Sequence, residues 1–160
     1  MKGELCVKGI VASGMVLQRN KINCIYGTAD VYEDVIMTFR GVTSITQADE
    51  QGYWKLEFSP GEAGGPFEMQ VKTEKETLTF TEVYVGEVWL LSGQSNAQLP
   101  MERMRFSYAE EFELPENPNI RMITIPIAWT FDGERDYVEN PQWICASPET
   151  LGQMSGTGYF

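Results

Sequence analysis

Chemistry in this chain concentrates at Ser92-Gly93-Gln94-Ser95-Asn96. The run Val83-Tyr84-Val85-Gly86-Glu87-Val88-Trp89-Leu90-Leu91 before it is almost continuously apolar. A strand buried on both faces reads this way, and such strands belong to parallel α/β sheets. The glycine turn that follows, and a predicted helix over residues 99–112, put Ser95 near a helix N-terminus. Backbone N–H groups there lack intrahelical partners, and the helix dipole favours negative charge. A hydroxyl so placed can attack a carbonyl while nearby N–H groups hold the developing oxyanion. Gly93 allows close backbone approach, and Asn96 adds a polar contact. Ser92 or Ser95 as a plain helix cap fits the same pattern, and spacing alone leaves both roles open.

A serine nucleophile needs a base within hydrogen-bond reach. Histidine is absent from all 160 residues. That excludes every Ser-His dyad within the chain and most zinc sites. Other residues offer little replacement. Glu87 reads as a paired or structural carboxylate, and Glu110, Glu111 and Glu113 as a solvated helical face. Arg103 and Arg105 suit a surface role better than substrate contact. Met101, Met104 and Met122 read as core fillers, and Trp54 and Trp89 as packing residues rather than sugar platforms.

The elements that must position the serine fall into two parts. Residues 1–82 read as an all-β sandwich, with short apolar runs bounded by turns. The predicted strands are Leu5–Ile10, Met15–Gln18, Ile22–Tyr26, Val35–Phe39, Trp54–Phe58, Phe67–Lys72 and Thr77–Phe80. Residues 83–160 read as the start of an α/β domain. Its second parallel strand is expected at Ile120–Ile125. An irregular stretch follows from Pro126 to Pro148, with Trp129, Phe131 and Trp143 as packing anchors. A helix begins after Ser155, which is its N-cap. The chain ends inside that element, which reads as a truncation.

An apolar share of 42% supports a packed core, and a net charge of −11 argues against nucleic acid or an anionic membrane as partner. No apolar run approaches the ~18 residues of a membrane span. The opening Met1–Val7 lacks the apolar core of a signal peptide. An authentic start would therefore place the chain in the cytoplasm, and the compartment is otherwise left open. Cys6, Cys24 and Cys145 lie in or beside apolar stretches and read as buried thiols rather than a disulfide framework.

The block Gly86-Glu87-Val88-Trp89-Leu90-Leu91-Ser92-Gly93-Gln94-Ser95-Asn96 resembles the nucleophile block of the sialate O-acetylesterase family, which are SGNH-type hydrolases. Other segments match that family in order. They are Met15-Val16-Leu17-Gln18-Arg19, Tyr26-Gly27-Thr28-Ala29, Asp49 with Gly52-Tyr53-Trp54, and Ala63-Gly64-Gly65-Pro66-Phe67. Trp143 with Ser147-Pro148-Glu149-Thr150, and Gly158-Tyr159-Phe160, complete the series. Ala97 departs from the methionine usual in the family, which bears on the shape of the pocket.

The resemblance implies an α+β protein, with an all-β sandwich followed by the truncated start of an α/β/α flavodoxin-like hydrolase domain. It implies Ser95 as catalytic nucleophile, with Gly93, Gln94, Ser95 and Asn96 at the oxyanion and substrate. The substrate would be sialic acid or another acetylated glycan, with no metal or organic cofactor. The family's remaining glycine and Asp-x-x-His blocks have no counterpart here, so this chain alone is expected to be inactive. Two other readings accommodate the missing base. Residues 1–82 could serve as a carbohydrate-binding or docking module, or a partner chain could supply the histidine to a split enzyme. The latter predicts exposed apolar surface on the second half.

Overall fold

The structure is a computed structural model that describes residues 3–127, 131, 133, 135 and 137–160. Two compact units divide the chain, Met1–Val88 with Ile125–Pro141 and Trp89–Thr124 with Gln142–Phe160. Strands dominate the first, short helical turns and one strand pair make up the regular structure of the second, and each described α-helix is a single turn.

Among its described residues the first unit holds eight strands: β1 (Cys6–Val7), β2 (Val16–Gln18), β3 (Asn23–Thr28), β4 (Asp34–Phe39), β5 (Val42–Gln47), β6 (Tyr53–Phe58), β7 (Gly64–Lys72) and β8 (Thr77–Gly86). One sheet has the order β1-β3-β6, and the other β2-β8-β7-β4-β5. All pairings are antiparallel except β2 with β8. Side chains alternate between faces along a strand. In β6, Trp54, Leu56 and Phe58 are therefore buried, while Tyr53, Lys55 and Glu57 face water. In β4, Val35, Met37 and Phe39 are buried. Phe39 meets Phe58 edge to face with ring centroids 6.1 Å apart, bringing residues of the two sheets together.

The β4–β5 hairpin turns through Arg40 and Gly41, both at positive φ, as a two-residue turn matching strand twist requires. Glycine adopts that conformation freely. Arg40 is held there by its guanidinium, which donates to the Pro60 and Glu62 carbonyls and lies over the Phe67 ring.

Sequence patterning misses β5. Val42-Thr43-Ser44-Ile45-Thr46-Gln47 is polar enough to read as loop, and as an edge strand it buries little. The cysteines are a second correction: Cys6 and Cys24 are exposed and Cys145 is half-buried. Cys24 precedes the buried Ile25 in β3 and so points to the opposite face.

The run from Val83 to Leu91 is not one strand buried on both faces. Its first part continues β8 in the first unit, where Tyr84, Val85 and Gly86 pair in parallel with β2. Beyond Gly86 no described strand lies alongside, and Trp89 and Leu90 are 87% and 92% exposed.

The second unit contains α1 (Ser95–Gln98), 3-10 turns at Met101–Met104, Ala109–Glu113 and Leu151–Gln153, β9 (Asn117–Ile123), β10 (Trp143–Ala146) and α2 (Gly156–Tyr159). The helix expected over 99–112 is replaced by two 3-10 turns, and the one helical turn nearby, α1, ends before it. Pro100 has no N–H, and the Met101 N–H donates to the Met154 carbonyl at 2.8 Å rather than back along a helix. The strand expected at Ile120–Ile125 exists as β9, but it pairs antiparallel with β10, inside the stretch read as irregular. Met101, Phe112, Ala146, Leu151 and Met154 form the core, with Met104 and Met122 packed against it, so the methionines fill space as expected. Of the three aromatic anchors, Trp143 is half-buried, Phe131 is exposed, and Trp129 lies outside the described residues.

Leu56→Ala should destabilise the chain by about 2–5 kcal/mol, because it empties a closed core. Ile45→Ala, on the exposed face of β5, should change stability by no more than about 0.5 kcal/mol. Urea unfolding of both variants checks the contrast.

Candidate active site

Residues 87–94 run without regular structure from β8 to α1. Gln94 is the N-cap of α1 and makes no side-chain capping bond, so neither it nor Ser92 caps the turn. The one backbone bond closing this turn runs from the Gln98 N–H to the Gln94 carbonyl at 3.1 Å. The N–H groups of Ser95, Asn96 and Ala97 meet no acceptor among the described residues. Gly93, Gln94, Ser95 and Asn96 are all exposed. The Ser95 hydroxyl likewise has no described hydrogen-bond partner. A single turn carries little macrodipole, so the argument from a long helix lapses and the free N–H groups themselves are the donors available to an oxyanion.

Gly93 has a steric reason to be glycine, since a Cβ there would lie 3.1 Å from the Ala97 Cβ.

What holds Ser95 in place is α2. The Thr157 hydroxyl donates to the Asn96 carbonyl at 3.0 Å, and the Gly156 N–H to the Leu99 carbonyl at 2.9 Å. Pro100 and Ser155 form an antiparallel bridge. Ser155 is the N-cap foreseen from sequence, its hydroxyl accepting from the Gly158 N–H at 3.3 Å. The turn sits directly on methionine side chains. A Cβ on Gly156 would lie 1.8 Å from the Met104 methyl, and one on Gly158 2.7 Å from that of Met122. Sequence reasoning missed Thr157 and these two glycines as positioning residues. The Gly156-x-Gly158 spacing just after a capping serine was the available signal.

The charged candidates are engaged elsewhere. Glu87, in the first unit, accepts from the Gln18 amide at 2.9 Å and pairs with Arg19 at 2.7 Å. The Gln18 bond first, then Arg19, holds its carboxyl below the usual glutamate value. This is the structural contact expected. Glu111 accepts the Tyr159 phenol at 2.8 Å, which pushes that phenol up. Arg105 grips Glu102 through two nitrogens and stacks 3.7 Å from the Phe112 ring centroid, while Arg103 is exposed. Trp54 is buried in the first unit, its indole N–H without an acceptor among the described residues. It packs, as expected; Trp89 does not.

No group of His, Cys, Asp and Glu among the described residues could hold a metal ion. The site thus presents an exposed hydroxyl beside free N–H donors, and the sequence holds no histidine to deprotonate it.

Two outcomes follow from this geometry. Gly156→Ala should force the Met104 methyl aside and lower stability by about 1–3 kcal/mol, read from the unfolding transition. Glu102 should titrate below an ordinary glutamate, because Arg105 hydrogen-bonds its charged form. Its folded value being depressed, the pair's contribution is present above the unfolded carboxylate range and disappears as pH falls through the folded value. NMR titration should show the Glu102 midpoint rising toward normal in Arg105→Gln.

No family model matches the chain. Comparison with curated proteins finds human sialate O-acetylesterase, 28% identical over 164 residues that cover 94% of this chain. The mouse protein of the same name is 29% identical over 72% of the chain. The chain spans 30% of the length of the human relative and 22% of the mouse one. Among solved structures, a carbohydrate acetylesterase from Xanthomonas citri superposes with a TM-score of 0.88 at 26% identity, over 96% of this chain and 35% of that one. The strand-rich fold described above therefore matches that of a carbohydrate acetylesterase, and over nearly its whole length this chain is similar to proteins named sialate O-acetylesterase.

Proposed function

We propose that this chain is the nucleophile-bearing part of a serine esterase that removes O-acetyl groups from sialic acid or another acetylated glycan. One observation carries the reading. Ser95 stands exposed at the first position of α1 beside unpartnered N–H groups, in a chain similar to sialate O-acetylesterases along 94% of its length. In this reading residues 1–82 form a β-sandwich. Residues 83–160 form the beginning of an α/β/α SGNH-type domain.

The reaction divides into two acyl transfers. The Ser95 Oγ attacks the acetyl carbonyl and gives its proton to a base. The Ser95 N–H, with help from Gly93 and the side chains of Gln94 and Asn96, holds the oxyanion. The C–O bond to the sugar breaks, and the sugar hydroxyl leaves with the proton. Water, deprotonated by the same base, then releases acetate and restores the serine. The base is a histidine outside these 160 residues, as is the rest of the oxyanion hole. The hydroxyl therefore has no strong base in this chain, and the chain by itself should release acetate no faster than background.

A second reading, a carbohydrate-binding module in residues 1–82, is favoured by the self-contained core of the first unit. It gives no reason for an exposed serine with free N–H donors in the second.

In an assembly that contains the histidine, Ser95→Ala should lower kcat for acetate release from an O-acetylated sugar by at least about a thousandfold, as loss of a serine nucleophile does elsewhere. Undiminished turnover would remove Ser95 from the mechanism. Glycan binding that survives Ser95→Ala, requires only the first unit, and comes with no hydrolysis would favour the module.

A further inference from the structure

In the larger sheet of the first unit β5 is an end strand. An end strand leaves every second N–H and C=O unpaired, and proteins protect such edges with short strands, charged side chains or proline. The other sheet edges of this unit are protected in that way. β1 and β2 are two and three residues long, and β6 carries the exposed Lys55 and Glu57. β5 is six residues, Val42-Thr43-Ser44-Ile45-Thr46-Gln47, with no charge and no proline.

The two-residue turn at Arg40-Gly41 fixes which groups are open. Phe39 and Val42 flank it as a hydrogen-bonded pair, so Val42, Ser44 and Thr46 bond to β4, and the N–H and C=O groups of Thr43, Ile45 and Gln47 point away from it. Those three N–H groups meet no acceptor among the described residues. Ile45 is 65% exposed, beside its cross-strand neighbour Ile36 on the outer face of the sheet. An exposed isoleucine alone needs no explanation. Here it lies at the centre of a row of open hydrogen-bonding groups.

We propose that a second copy of this chain pairs at this edge, β5 against β5, antiparallel about a two-fold axis at Ile45. The pairing holds whether or not Ser95 is a nucleophile. Two observations select a second copy over an unrelated strand. The open groups are self-complementary: with Ile45 opposite Ile45 of the partner, Thr43 falls opposite Gln47, and every open N–H and C=O of both strands is satisfied. Ile36 and Ile45 then continue across the axis into the same two residues as one apolar row. The ends of β5 also carry opposite charges. Arg40 precedes it, its guanidinium held by the Pro60 and Glu62 carbonyls and the Phe67 ring, with no carboxylate on it among the described residues. Glu50 follows it and accepts from the Gln51 amide, with no described cation on it. Antiparallel pairing sets the Arg40 turn of each copy beside the Glu50 turn of the other. It also consumes β5 in both copies, and the remaining edges are short or charged, so assembly closes at two. One strand pair covers less than the ~1,200 Å² of a stable interface, so the dimer is a weak one.

Sedimentation of this chain over about a hundredfold range of concentration should show monomer passing to dimer and nothing larger. Amide hydrogen exchange identifies the surface. In dilute chain the N–H groups of Thr43, Ile45 and Gln47 should exchange fast while those of Ser44 and Thr46 are protected by β4; in the dimer all of them should be slow. Ile45→Lys sets two ammonium groups opposite each other and should raise the dimer Kd by about tenfold or more. The Tm of the dilute chain should not move, because that side chain faces water there. Glu50→Lys should raise the Kd by a smaller factor, and added salt should shrink the difference.

A chain that stays monomeric throughout overturns the inference. So does a dimer in which the Thr43, Ile45 and Gln47 amides exchange as fast as in the monomer, which would assign association to another surface, such as Trp89 and Leu90. Association that survives Ile45→Lys, or that grows past two copies, overturns it as well.

Discussion

Two glycines in α2 let a backbone turn rest directly on the methyl groups of Met104 and Met122, and the position of Ser95 depends on that seat. A four-residue helix has too few internal hydrogen bonds to hold itself, because nucleation fixes several dihedrals for a single bond. α1 is therefore fixed from outside, by the Thr157 hydroxyl on the Asn96 carbonyl and by the Gly156 N–H on the Leu99 carbonyl. Those bonds form only if α2 lies close, and α2 can lie close only where it carries no side chain. Methionine suits the other half of the contact. It is unbranched and fills irregular space, so it can accommodate a bare backbone.

The serine keeps free donors because the first N–H groups of a helix have no intrahelical partner, and here no side chain caps them. Met101, Leu99 and Asn96 have their backbone groups committed to residues 154–157, which stops the helix after one turn. At its other end the N–H groups of Ser95, Asn96 and Ala97 meet no acceptor among the described residues beside the hydroxyl. Preorganised donors of this kind stabilise charge as it develops, without reorganisation during the reaction. Removal of the hydroxyl proton is a separate task that these donors do not perform. In the proposed reading the Ser95 site divides along that line: the electrostatic half is built from local backbone, and proton transfer needs a histidine, which these 160 residues lack.

Much of the first unit was legible in the sequence because alternation is a local signal. Trp54-Lys55-Leu56-Glu57-Phe58 announces both its strand and its buried face, and the observed burial follows it. Ser95 was singled out through a motif, and the structure places it exposed at the first position of α1. What escaped depended on neighbours. β5 is polar and owes its strand to pairing with β4. The expected helix over 99–112 has reasonable local periodicity, but Pro100 and the bond from Met101 to Met154 override it. The fate of Val83–Leu91 shows the limit most clearly. Hydrophobicity states that a segment should be buried without stating against what. Val83 and Val85 found a core in the first unit; Trp89 and Leu90 did not find one in the second.

That difference has a magnitude. Burying one large apolar side chain is worth roughly 1.5–3 kcal/mol, so Trp89, Leu90 and Leu91 together leave several kcal/mol unrealised. Net stability of a whole domain is only about 5–15 kcal/mol, so the unrealised part is not a small correction. Isolated exposed residues such as Ile22 or Ile45 carry the same cost individually and occur on any surface. The run at 89–91 differs because it is consecutive, because its backbone is unpaired by any described strand, and because it leads into the serine turn.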